Sequence, residues 1–125
     1  MNRLKLFGLL ALLLSQAVET SAATLDIIGK YGNAAGCKFM ATSEIAEDMT
    51  FLTPEGWGSY AMLCRFVEVT PAGDLTRVAT TICAHEGEET QTIDMLRLEK
   101  DPNGADAWTI YNSAGDDWGK VSRCP

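Results

Sequence analysis

The stretch from Ser59 to Glu89 constrains the fold of this chain more than any other part of the sequence. It contains two β-prone runs, 59–69 and 75–89, with Pro71-Ala72-Gly73-Asp74 between them. Proline presets φ for a turn and glycine tolerates a positive φ, so the chain is expected to reverse direction at residues 71–74. The sequence therefore predicts a β-hairpin at the centre of the fold.

Alternation along each run of this hairpin predicts which side chains share a face. The first run divides into two sets, with Tyr60, Met62, Cys64 and Phe66 on one face and Leu63, Arg65 and Val67 on the other. A turn at residues 71–74 places Cys64 opposite Thr81 in the second run. Cys64 and Cys83 then point to the same side of the hairpin, so two of the four cysteines lie in its central strands.

The rest of the chain consists of short β-prone segments separated by turn signals. The further predicted strands are 25–31, 49–53, 90–100, 108–111 and 118–124. Turns are predicted at Pro54-Glu55-Gly56 and at Asp101-Pro102-Asn103-Gly104. Residues 33–36 are predicted as a loop or one short helical turn, and Ser43 as the cap of a helical turn within 41–48. This pattern predicts an all-β fold, a small antiparallel β-barrel or β-sandwich stabilised by disulfides.

The first 23 residues have the organisation of a secretory signal peptide. A basic start is followed by an apolar segment, 6–14, which is too short to span a bilayer as a helix. Small residues at Ser21-Ala22-Ala23 predict cleavage after Ala23. We therefore expect export to the periplasm without membrane insertion of the mature chain, and one small domain covering residues 24–125.

Four cysteines follow the predicted signal peptide, at Cys37, Cys64, Cys83 and Cys124. An even number of cysteines in an exported domain predicts two disulfides, for which three pairings exist. We favour Cys37–Cys64 with Cys83–Cys124, because that pairing ties both ends of the chain to the central hairpin. Zinc binding and thiol redox chemistry are not expected, since the two central cysteines lie in strands and form no CxxC motif.

Net charge is the clearest compositional signal about partners. The full chain has a formal net charge of −7, and loss of Arg3, Lys5 and Glu19 with the signal peptide leaves 8 basic and 16 acidic residues, a charge of −8. Such a chain repels nucleic acid and anionic lipid and attracts cationic partners. A high net charge also serves solubility, so charge alone does not identify the partner.

His85 is the single histidine of the chain, and it lies in the acidic segment His85-Glu86-Gly87-Glu88-Glu89. A metal site requires further ligands from other parts of the chain, and no second histidine supplies one. Carboxylates are paired at Asp116-Asp117 as well, but no nucleophile motif such as GxSxG is present. A domain of this size has little room for both a core and a substrate cleft. The sequence therefore predicts no metal, no cofactor and no enzymatic activity.

The segment from Ser113 to Lys120 resembles a motif of the periplasmic inhibitors of lysozyme-type enzymes. In that family a serine is followed by Gly-Asp and then Trp-x-Lys; here the segment reads SAGDDWGK, without the family's Arg-Tyr between serine and glycine. The resemblance implies a secreted β-domain that occludes the cleft of a lysozyme or lytic transglycosylase, which would be its protein partner. It further implies that Ser113 and Lys120 enter the cleft, with Trp118 at the base of the loop.

Two alternatives remain open. Gly29-Lys30-Tyr31 followed by Cys37 is similar to the Gly-x-Trp…Cys start of small barrel inhibitors of secreted metalloproteases, which act through an extended N-terminal segment. The other alternative is a hollow barrel that binds a small apolar ligand. Its cavity would be lined by Met49, Phe51, Met62 and Phe66. An inhibitor, by contrast, is expected to have a filled core and an exposed loop.

Overall fold

The chain forms a closed antiparallel barrel of eight strands with one helix, in a computed structural model that describes residues 23–125. The elements are β1 (Tyr31–Gly32), α1 (Ala34–Thr42), β2 (Thr50–Thr53), β3 (Gly56–Ser59), β4 (Met62–Pro71), β5 (Thr76–His85), β6 (Thr92–Lys100), β7 (Ala107–Tyr111) and β8 (Asp117–Arg123). Each strand pairs with the next, and β8 pairs with β1 to close the barrel. The structure thus confirms the all-β prediction and selects the barrel over the sandwich.

The predicted signal peptide, residues 1–23, lies outside the described residues except for Ala23 and stays a prediction. Within the described part of the chain, no helix has the length and apolar character needed to cross a membrane. Two disulfides and an exported domain are mutually consistent, because disulfides persist in oxidising compartments.

The N-terminal segment differs from its prediction as a strand over 25–31. Only Tyr31 and Gly32 join the sheet. The residues before them fold against the lower end of the barrel, where the β2–β3, β4–β5 and β6–β7 turns lie. There the backbone N–H of Leu25 donates to the carbonyl of Pro54 at 2.8 Å, and the Leu25 side chain is buried. Gly29 turns the chain with a φ of 94°, which a β-strand does not accommodate.

Helix α1 is longer than the helical turn predicted for residues 33–36. Asn33 caps it, because its side-chain oxygen accepts from the N–H of Gly36 at 2.7 Å and from the N–H of Thr50 at 3.0 Å. A Cβ on Gly36 would lie 1.8 Å from the carbonyl oxygen of Thr50, so only glycine lets the helix pack this closely on β2. Ser43, predicted to start a helical turn, instead ends α1 in the left-handed conformation.

The barrel interior is filled by apolar side chains from all around the sheet. The fully buried members include Leu52, Phe66, Ala79, Leu96, Leu98, Ile110 and Val121, with Trp57 and Trp108 almost fully buried. Strand β4 of the hairpin follows the predicted alternation, since Cys64 and Phe66 are buried while Leu63 and Arg65 are exposed. Burial of this much apolar surface is the main stabilising contribution in a small domain.

The predicted disulfide pairing is wrong, because closure of the barrel joins the two chain ends to each other through Cys37–Cys124 and leaves Cys64 to pair with Cys83. The register of the β4–β5 hairpin also differs from its prediction. The turn lies at residues 72–75, and a β-bulge at Val67 adds one residue to β4. Cys64 therefore lies directly opposite Cys83 and not opposite Thr81. The two cysteines form a disulfide across the strands, with a Cα–Cα distance of 4.0 Å.

The second disulfide joins Cys37 in α1 to Cys124 after β8. These residues meet because β1, which leads into the helix, pairs with β8. The N–H of Cys124 also donates to the carbonyl of Lys30 at 2.8 Å. This bridge spans 87 residues and closes nearly the whole domain, whereas the Cys64–Cys83 bridge spans 19.

Candidate functional site

The turn between β7 and β8 carries the first residue of the predicted inhibitory segment. Two backbone hydrogen bonds close it, from the N–H of Asn112 to the carbonyl of Asp116 and from the N–H of Gly115 to the carbonyl of Asn112. The Asn112 side chain adds two more, accepting from the N–H of Asp116 at 2.8 Å and donating to its carboxylate at 3.0 Å. Gly115 has a φ of 86°, which suits glycine. The turn is therefore ordered by its own contacts.

Ser113 lies at the exposed tip of this turn. The turn runs beside β6, because Tyr111 pairs with Arg97 and continuation of that register brings Ser113 level with Met95. A shallow groove of about 290 Å³ separates them, lined by the turn together with Val78, Met95 and Arg97. Ser113 is thus exposed to solvent, and its contact with a partner stays a prediction.

Trp118 is half-buried and points toward the core rather than into solvent. Its ring stacks on Trp57, with 5.0 Å between ring centroids and 26° between the ring planes. Such a pair contributes about 0.5–1.5 kcal/mol beyond the burial of its area. Trp118 therefore anchors the start of β8 to the core, and its role in an inhibitory loop stays a prediction.

Lys120 lies on the outside of β8, about 10 Å along the strand from its first residue. Its ammonium group pairs with the Asp101 carboxylate at 2.6 Å, and the Lys120 side chain is 54% exposed against 11% for Asp101. The pKa of Asp101 is lowered because Lys120, and then the N–H of Asn103, donate hydrogen bonds to its carboxylate. The structure therefore does not bring Lys120 and Ser113 together, since one lies on the barrel wall and the other at the turn tip.

The other predicted chemical residues are dispersed. The His85 ring hydrogen-bonds to the Thr92 hydroxyl at 2.9 Å, and residues 23–125 contain no group of three side chains suited to hold a metal. The residues named for a ligand cavity do not share one: Phe66 lies in the core, whereas Phe51 packs outside against Phe39, with 5.3 Å between ring centroids. These four residues therefore do not line one common cavity.

The N-terminal segment also differs from what the protease-inhibitor resemblance requires. Tyr31 is 2% exposed and lies within β1. Leu25 is bound to the barrel end through Pro54 and is likewise buried. A segment held in this way is not free to extend into a protease cleft.

Sequence reasoning missed a charged network at the lower end of β8, which we call the paired network: Tyr31, Asp101, Asp106, Lys120 and Arg123. The Tyr31 hydroxyl donates to Asp106 at 2.5 Å and accepts from Arg123 at 3.0 Å, while Arg123 also pairs with Asp106. Burial and the Asp106 contact raise the pKa of Tyr31, and the contacts with Tyr31 and Arg123 lower that of Asp106. Since Tyr31 and Arg123 are 92 residues apart, no local pattern predicts this cluster.

A further ion pair, between Arg77 and Asp26, lies at the same end of the barrel. The Arg77 guanidinium binds both carboxylate oxygens of Asp26 at 3.0 Å, and Arg77 is largely buried. This bidentate contact lowers the pKa of Asp26. Asp26 and Arg77 are therefore paired within the chain.

Comparisons of the chain with protein-family models, with curated proteins and with solved structures found no match.

Proposed function

We propose that this protein is an exported inhibitor of a peptidoglycan hydrolase of the lysozyme or lytic transglycosylase type, and that it acts by occluding the enzyme's cleft. One observation carries the proposal: a filled barrel presents a turn that is ordered by Asn112 and Asp116 and whose tip, Ser113, is exposed. Because the turn is already ordered, binding costs little conformational entropy. Inhibition by occlusion requires no cofactor.

Charge supports this choice of partner. Enzymes that act on anionic cell walls are typically cationic around a cleft that works with carboxylates. A chain with a formal net charge of −7, or −8 without the predicted signal peptide, is steered toward such a surface. Steering raises the association rate and falls with ionic strength, so it favours encounter more than it determines the docked position.

Each predicted residue has a distinct part in the proposed mechanism. The Ser113 hydroxyl and the carbonyl groups of its turn take hydrogen-bonding positions that the sugar would occupy. Trp118 holds the turn in place through its stack on Trp57. Lys120 reaches a cleft carboxylate by exchanging its present partner, Asp101, for one on the enzyme. Water and substrate are then excluded together.

The test is a turbidity assay on bacterial cell walls, with the exported protein, a c-type lysozyme and a lytic transglycosylase. We expect inhibition at a one-to-one ratio. Ser113→Ala should weaken it about threefold to tenfold, the effect of one hydrogen bond, while the control Ser122→Ala, at an exposed position farther along β8, leaves it unchanged. Lys120→Ala should weaken inhibition by about 30-fold, and Lys30→Ala should have little effect.

Thermal unfolding of each variant separates loss of binding from loss of stability, because Lys120→Ala also leaves Asp101 without its cation. If Lys120→Ala and Lys30→Ala weaken inhibition equally and Ser113→Ala does not weaken it, the protein is still an inhibitor but the proposed loop is not its binding site. Absence of inhibition of both enzymes at micromolar protein would end the proposal. Protection of a metalloprotease substrate instead would favour the alternative inhibitor class.

A further inference from the structure

The outer side of β4, β5 and β6 carries a group of apolar side chains that no other part of the described chain covers. We call it the apolar face, and its members are Leu63, Val67, Ile82, Ile93 and Met95. Ile93 is 77% exposed, Leu63 58%, Met95 51% and Val67 43%. Outward positions of a barrel strand are ordinarily polar, so five apolar residues on the outside of three adjacent strands mark an interaction surface.

Strand register makes these residues one surface. Ile82 lies directly between Arg65 on β4 and Ile93 on β6, and Met95 lies opposite Thr80 one step further down. The Cys64–Cys83 disulfide joins β4 to β5 from the inside, directly beneath Arg65 and Ile82. The face is therefore rigid as well as exposed, which lowers the entropic cost of docking.

Arg65 is exposed and lies on β4 between Leu63 and Val67, beside Ile82 on β5. It takes part in none of the salt bridges found among residues 23–125, in contrast to Lys120 and Arg123. An arginine surrounded by apolar contacts is a typical hot spot of protein interfaces, because its fork-shaped donors bind a carboxylate while the neighbours exclude water. Arg65 is thus a cation ready to bind a partner's carboxylate without breaking an existing pair.

The apolar face is continuous with the β7–β8 turn and is bordered by acidic loops. Met95 lines the groove whose other wall includes Ser113. The β5–β6 loop contributes the exposed residues Glu86, Glu88 and Glu89, and the turn contributes Asp116 and Asp117. Both loops lie at the same end of an antiparallel barrel. An apolar centre with an acidic border complements a basic protein surface.

We infer that the apolar face, together with Arg65 on its β4 side, is the surface that docks on a basic hydrolase, with Arg65 binding a cleft carboxylate and the β7–β8 turn lying alongside. This inference rests on the proposed inhibitory function and extends the contact from one turn to a surface. A second copy of the chain fits the same surface less well, because self-association would bring the acidic loops of two strongly acidic chains together.

The experiment measures the dissociation constant for a c-type lysozyme and a lytic transglycosylase, together with inhibition and sedimentation of the exported protein. Ile93→Asp should weaken binding about tenfold or more, since it places a charge in the buried centre of the interface. The matched control Ile45→Asp alters an isoleucine that is 64% exposed and outside the face, and it should change binding less than about twofold. Arg65→Gln should weaken binding about tenfold or more.

Both aspartate variants carry the same added charge, so steering affects them equally and only their position differs. If the wild type inhibits and the Ile93→Asp and Arg65→Gln variants inhibit equally well, this inference is overturned and the proposed function stands. Absence of inhibition by the wild type would overturn both. A wild-type dimer that Ile93→Asp converts to a monomer would instead identify the face as a contact between copies of this chain and would overturn the inference.

Discussion

The two sides of the barrel use charge in opposite ways. On the side of β1, β7 and β8, the paired network joins Tyr31, Asp106 and Arg123, and Lys120 is bound to Asp101. On the side of β4 to β6, exposed apolar residues surround Arg65, which lies outside the ion pairs of the described chain. Charged groups that are paired within the chain stabilise the fold. Exposed apolar side chains and an unpaired cation gain binding free energy when a partner covers them. The comparison links the contacts among Tyr31, Asp106 and Arg123 to stability. On the proposed function, binding belongs to the apolar face and the β7–β8 turn, and Lys120 serves both by exchanging Asp101 for a carboxylate of the enzyme.

The largest expected effect comes from the disulfide beside the paired network. Replacing Cys37 and Cys124 by serine should lower the free energy of unfolding by about 4–5 kcal/mol, because that bridge closes a loop of 87 residues. Replacing Cys64 and Cys83, beneath the apolar face, should cost about 3 kcal/mol for a loop of 19. Urea unfolding of the two double variants gives the difference. A larger loss for the Cys64–Cys83 variant would contradict this ranking.

A related measurement addresses the cysteines of the whole chain. Thiol titration of unfolded, unreduced protein should find no free thiol after export, because both bridges are formed in the structure. One or more reactive thiols per chain would show that the two disulfides are not both formed, and the predicted order of their contributions to stability would then have no basis.

Acid should act mainly on the ion pairs at the lower end of the barrel. The pKa values of Asp26, Asp101 and Asp106 are lowered by their cationic and hydrogen-bonding partners. A carboxylate with a lowered pKa in the folded state stabilises the fold above its unfolded pKa, about 3.9, and this stability is lost as the pH falls through the folded value. We therefore expect stability to decline below about pH 4.

Asp106→Asn sharpens this prediction because the amide retains the shape of the side chain but does not titrate. The variant should show a smaller loss of stability between neutral and acidic pH than the wild type, in matched urea titrations. Asp94→Asn is the control, since Asp94 lies on β6 outside the paired network and accepts a hydrogen bond from the Thr92 hydroxyl instead of binding a cation. An unchanged pH dependence in Asp106→Asn would mean that the network contributes nothing to acid sensitivity.

The alternation of the central hairpin is the part of the fold that the sequence predicts best. Buried Cys64 and Phe66 and exposed Leu63 follow directly from a period of two. The register does not follow, because the bulge at Val67 leaves no mark in the residue pattern. The misplaced turn assigned Thr81 instead of Cys83 as the cross-strand neighbour of Cys64. The disulfides were wrong for a separate reason, because the sequence does not show that β1 and β8 close the barrel and bring Cys37 to Cys124.

The helix and the charged contacts are harder to predict for a different reason. Asn33 caps α1 in part through Thr50, and Lys120 binds Asp101 nineteen residues earlier. Such contacts depend on the closed barrel and not on local propensity. Arg65 was missed because an exposed arginine in a strand is ordinary in a sequence, and only its apolar neighbours on β5 and β6 distinguish it.

The smallest effect is expected at His85, which is the last residue of β5 and lies opposite Met62 on β4. Its ring contacts only the Thr92 hydroxyl among the side-chain hydrogen bonds of the described chain. His85→Ala should leave inhibition within about twofold and stability within about 0.5 kcal/mol. Loss of activity with an unchanged melting temperature would revive an acid–base or metal role for this residue.

Competition with a sugar tests occlusion most directly. The dissociation constant of the exported protein for a c-type lysozyme is measured at increasing concentrations of an N-acetylglucosamine trisaccharide, a ligand of the enzyme's cleft. If the chain fills the cleft, its apparent dissociation constant rises in proportion to the trisaccharide concentration. A dissociation constant that stays constant while the trisaccharide saturates the enzyme would show that the chain binds elsewhere and would contradict the proposed mechanism.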